Sequence, residues 1–61
     1  MEEKIAGSFF KDESDRQESV ITISVDTETP NEVNFASQDA SVMICVNRED
    51  LIRVVNKLNT A

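Results

Sequence analysis

The sequence has no histidine, tryptophan or tyrosine, and only one cysteine, one glycine and one proline. Each absence excludes a class of chemistry. Without histidine there is no imidazole for proton transfer, metal ligation or a switch near neutral pH. A single cysteine excludes an internal disulfide framework and any cysteine-cluster zinc site. A single glycine excludes the glycine-rich loops that cradle phosphates. No run of about 18 apolar residues occurs, so no transmembrane helix is expected. The start, Met1-Glu2-Glu3-Lys4, lacks the basic and apolar regions of an export signal. With one unpaired cysteine, this predicts a reducing, cytoplasmic setting, the host cytoplasm if the chain is viral.

What is present is one short, acidic, moderately apolar chain. Sixty-one residues allow a single small domain, 1–61. Apolar residues make up 39%, too many for a disordered acidic tail. A domain of this size buries only about 60% of its unfolded surface, so its core is marginal. Small domains compensate with metals, disulfides or a partner subunit. The composition leaves the partner subunit as the expected supplement.

Twelve acids against six bases give a formal charge of −6. The excess lies entirely in the first half. Residues 1–32 carry Glu2, Glu3, Asp12, Glu13, Asp15, Glu18, Asp26, Glu28 and Glu32 against Lys4, Lys11 and Arg16. Residues 33–61 balance Asp39, Glu49 and Asp50 with Arg48, Arg53 and Lys57. Such a charge repels free nucleic acid and anionic membrane surfaces, so neither is an expected partner.

The clearest element is the last. Leu51, Val54, Val55 and Leu58 follow the spacing of one helical face, which predicts a helix over 48–59. Asn47 is a good N-cap, and Asp50 stands where a capping box has its acid. Glu49 and Asp50 in the first turn and Lys57 in the last suit the helix dipole. Glu49 and Arg53 form an i, i+4 pair in the favoured order.

Ser41–Val46 reads as a strand apolar on both faces, Val42/Ile44/Val46 and Met43/Cys45. Val20–Val25 reads as a strand with Ile21, Ile23 and Val25 on one side. Pro30-Asn31 marks a turn, and Glu32–Ala36 a short strand with Val33 and Phe35 together. Lys4–Phe10 is a further candidate strand with Ile5 and Phe9 inward, weakened by Gly7. Residues 11–19 read as a polar acidic connection. The expected architecture is α+β. A three- or four-stranded, mostly antiparallel sheet carries one C-terminal helix packed on one face, in the order β-β-β-α.

Phe9 or Phe10, Val20, Met43 and Cys45 are then left on the face without a helix. This predicts self-association, a dimer first, unless the N-terminal segment folds over them. Cys45, between Ile44 and Val46 with no base to activate it, reads as an inert core side chain. The acids Asp12, Glu13, Asp15 and Glu18 have neither the glycine nor the alternation of a calcium loop, and Arg16 sits among them. Paired acid–base carboxylates need a buried cleft, which a solvated connection does not supply. No metal or cofactor is expected.

These readings point away from an enzyme and toward a binding module. The expected activity is inhibition or modulation of a larger protein by occupying its surface. Size and charge are of the type that bacterial viruses direct against host enzymes. Asp12, Glu13, Asp15, Glu18, Asp26, Glu28 and Glu32 form the candidate acidic partner surface, with nucleic-acid mimicry as one way it would act. The alternatives are a homo-oligomeric structural or assembly protein, or a binder of small anionic ligands between subunits.

Overall fold

A computed structural model of the chain describes residues 1–60. Four strands, β1 (Glu2–Phe10), β2 (Arg16–Ser24), β3 (Glu32–Ala36) and β4 (Met43–Asn47), precede one helix, α1 (Arg48–Thr60). The sheet order is β1-β2-β3-β4, with every neighbouring pair antiparallel. The α+β class is therefore as the sequence predicts, and the sheet has four strands.

Directly paired residues share a face of a pleated sheet. The pairs Ile5–Ile21, Ile23–Phe35, Phe35–Ile44 and Val33–Val46 define one face. The pairs Phe10–Arg16, Ala6–Val20, Asn34–Cys45 and Ala36–Met43 define the other. Ile21, Ile23, Val33, Phe35, Ile44 and Val46 thus lie together, as their alternation requires.

Several boundaries differ from the sequence reading. The second strand ends at Ser24, so Val25 lies outside it, β4 runs on to Asn47 and α1 to Thr60. The polar connection expected over 11–19 is shorter, because Arg16–Ser19 belong to β2 and pair with Gly7–Phe10. Backbone ladder bonds need no apolar side chain, and Arg16 adds its own contacts. Its Nε donates to Ser8 Oγ at 3.1 Å and lies 3.5 Å from Glu18 Oε1. The first strand starts at Glu2 and runs nine residues despite Gly7. The last strand starts at Met43, because a tight loop takes Ser41 and Val42. In that loop Ser37 N–H donates to Val42 O at 2.9 Å, and Val42 N–H donates to Ser37 Oγ at 3.1 Å.

The helix joins β4 without an intervening residue. Asp50 N–H donates to Asn47 Oδ1 at 2.9 Å, the N-cap bond the sequence predicts. Arg53 pairs with Asp50 at 3.7 Å, in place of the expected Glu49. The joint is tied to the β2–β3 loop. Arg48 N–H donates to Asn31 O at 2.8 Å, and its guanidinium to Pro30 O at 3.4 Å. The main neighbour of α1 is β4. Leu51 is half-buried, but Val54, Val55 and Leu58 are exposed. The helix therefore closes over the sheet only at its first turn.

The consequence is a thin core. Among the described residues, Val33 is the one buried apolar side chain, and Ser37 the one buried polar side chain. The chain exposes 5001 Å², whereas a compact monomer of its mass exposes about 4,000 Å². Its radius of gyration is 12.8 Å, against about 10.5 Å for a compact chain of this length.

Candidate functional site

An apolar groove lies on the first face of the sheet. Phe9, Ile21, Phe35, Val42, Ile44, Val46 and Leu51 line it, with Ser8, Ala36 and Ser37 at its edges, enclosing about 380 Å³. Strand alternation places the β-branched and aromatic side chains here. Leu51 carries the surface onto the helix, where Val54, Val55 and Leu58 extend it. Ile5 and Ile44 are more than half exposed, and Leu58 is 70% exposed. Burial of such side chains stabilises by about 1.5–3 kcal/mol each, so leaving them wet is unfavourable.

The residues expected to form a self-association face do not all lie together. Phe10, Val20, Met43 and Cys45 share the second face by register. Phe9 belongs to the first, opposite Gln17, and points into the groove. Cys45 is exposed and not a core side chain, because no layer covers the second face. Its thiol donates to Asn34 Oδ1 at 2.9 Å.

The seven candidate acids fall at two places. Asp12, Glu13 and Asp15 lie at the β1–β2 turn, and Glu18 lies close by in β2. Asp26 and Glu28 lie in the β2–β3 loop, with Glu32 at the start of β3. These places are opposite ends of β2, a nine-residue strand about 27 Å long. The acids therefore do not make one continuous surface.

Asp12 of that set, and Asp39 outside it, organise turns. Ser14 N–H and Oγ donate to Asp12 Oδ1 at 2.9 and 3.0 Å. These bonds hold the Asp12 carboxyl below its ordinary value. Asp39 is held low in the same way by the hydroxyl and N–H of Ser41, then by the hydroxyl of Ser37. A second, polar hollow of about 510 Å³ lies beside this loop, lined by Lys11, Gln17, Gln38, Asp39 and Ser41 among others.

Ile5 and Phe9 lie on the groove face, the inward side read from the alternation of residues 4–10. The sequence reading missed one contributor. Ser37 nucleates the β3–β4 loop. Its signal was the Ser37-Gln38-Asp39-Ala40-Ser41 run, which reads as a turn without showing which hydroxyl is buried.

No family model matches the chain, and no curated protein or solved structure matches it significantly. Among the described residues, no helix is long and apolar enough to cross a membrane.

Proposed function

We propose that this chain is a non-catalytic, homo-oligomeric protein-binding module that modulates a larger protein by occupying its surface. The observation that supports this reading is the open apolar groove with its continuation along α1. An isolated chain leaves this surface in water, and contiguous apolar patches of this extent mark sites of association. Self-association covers the groove, and the two acidic ends stay outside for an external partner. Because the acids are split between those ends, recognition is by local complementarity of one end. A continuous phosphate-like array for nucleic-acid mimicry is the weaker reading.

The test is capture of a stoichiometric partner by the full chain over a salt series, with two charge-reversed variants in parallel. One replaces Asp12, Glu13 and Asp15 with Lys, and the other replaces Asp26, Glu28 and Glu32. Loss of the partner with one variant, both remaining folded, supports the reading. A partner retained equally by both overturns the acidic-end recognition.

A further inference from the structure

We propose that the groove of one copy is filled by helix α1 of a second copy, giving a reciprocal, twofold-symmetric dimer. This rests on the self-association proposed above and specifies its partner surfaces.

Two observations converge on a second copy as the occupant. The first is area. The chain exposes 5001 Å², about 1,000 Å² beyond a compact monomer of its mass. A standard interface removes about 800 Å² from each partner. One symmetric contact therefore absorbs the excess.

The second is shape and continuity. Leu51 lines the groove formed by Phe9, Ile21, Phe35, Ile44 and Val46. The stripe Leu51, Val54, Val55 and Leu58 is thus continuous with the groove wall. No residue separates β4 from α1, and Asn47, Asn31 and Pro30 pin the joint. Val54, Val55 and Leu58 on the later turns are exposed and available to another copy. A twofold axis makes each copy donor and acceptor at once, as isologous interfaces require.

Intermolecular paramagnetic broadening tests this, together with light scattering. The full chain carries Cys45→Ser and Asn59→Cys, with a nitroxide on Cys at 59, beside the stripe but outside it. This unlabelled spin-bearing protein is mixed with isotope-labelled wild type. The expected mass is twice the 6.8 kDa of one chain, and the amides of Ile21, Phe35 and Ile44 lose intensity. Val54→Glu with Val55→Glu should return the mass to one chain with helical content kept. A dimer whose broadening is confined to α1, or to Val20, Met43 and residue 45, overturns the reciprocal docking and leaves self-association standing. A single-chain mass at every concentration overturns both.

Discussion

The side chain of Ile21 leans over Gly7, so that a Cβ at position 7 would stand 2.5 Å from Ile21 Cγ1. Gly7 has no positive φ, so space is what the position requires. Gly7→Ala forces Ile21 off the groove floor. Overpacking of this kind costs about 1–3 kcal/mol, partly offset by about 0.5–1 kcal/mol from the stiffer unfolded chain. The expected net loss is about 1 kcal/mol by urea unfolding. In the Ile21→Ala background, where the overpacking is relieved, Gly7→Ala should instead stabilise by about 0.5–1 kcal/mol. A full Gly7→Ala penalty there would mean that Ile21 is not the obstacle.

Asn47 ends β4 and caps α1 with one side chain, through its 2.9 Å bond from Asp50 N–H. Asn47→Ala should destabilise by about 1 kcal/mol, whereas Asn47→Asp should retain the cap. Far-ultraviolet dichroism would show fraying of α1 in the alanine variant. Equal stability of the two variants would mean that the cap bond contributes nothing.

Ala40 has a φ of 59°, in the left-handed region that side chains disfavour. Its N–H donates to Ser37 O at 2.9 Å, which holds the turn closed. A left-handed alanine costs about 1–2 kcal/mol, against the greater unfolded-state freedom of glycine, about 0.5–1 kcal/mol. Ala40→Gly should therefore stabilise the chain by about 0.5–1 kcal/mol, read as a higher urea midpoint at unchanged slope. A lower midpoint would contradict the assigned turn.

The carboxyls of Asp12 and Asp39 are held below the ordinary value of 3.8 by serine hydrogen bonds. A depressed folded-state value gives stability that is present above the unfolded value and lost as pH falls through the folded one. Stability should thus decline below about pH 4. Asp39→Asn keeps an oxygen that can accept from Ser41 and Ser37 but removes the titration. The acid decline should be shallower in that variant. An identical pH profile would remove Asp39 from the account.

The helix and the apolar face were legible because their signals are local. The spacing of Leu51, Val54, Val55 and Leu58 and the cap at Asn47 lie within twelve residues. The alternation of Ile21 and Ile23 sets their face without reference to the rest of the chain. What was not legible depends on pairing across the chain. Arg16–Ser19 have no apolar signal and become strand only because Gly7–Phe10 lie opposite them. The reach of the helix over the sheet depends on the joint at Asn31 and Pro30, far from α1 in sequence. The seven acids read as one surface because sequence distance hides that a strand separates their two groups.

Met43 and Ile44 are neighbours on β4, 64% and 56% exposed, and point to opposite faces. Hydrophobicity and exposure are similar, so the pair separates the two candidate association faces. A glutamate in an apolar interface must be desolvated or expel its partner, which is strongly unfavourable. Ile44→Glu places that charge in the groove facing Phe35 and should reduce the assembly to one chain. Met43→Glu places it beside Ala36 on the second face and should leave the assembled mass unchanged. The reverse outcome, with Met43→Glu dissociating the assembly and Ile44→Glu sparing it, would move the interface to Phe10, Val20 and Cys45. Sedimentation of the two variants at matched concentration, with dichroism to confirm folding, decides between the faces because the substitutions differ only in which side of one strand receives the charge.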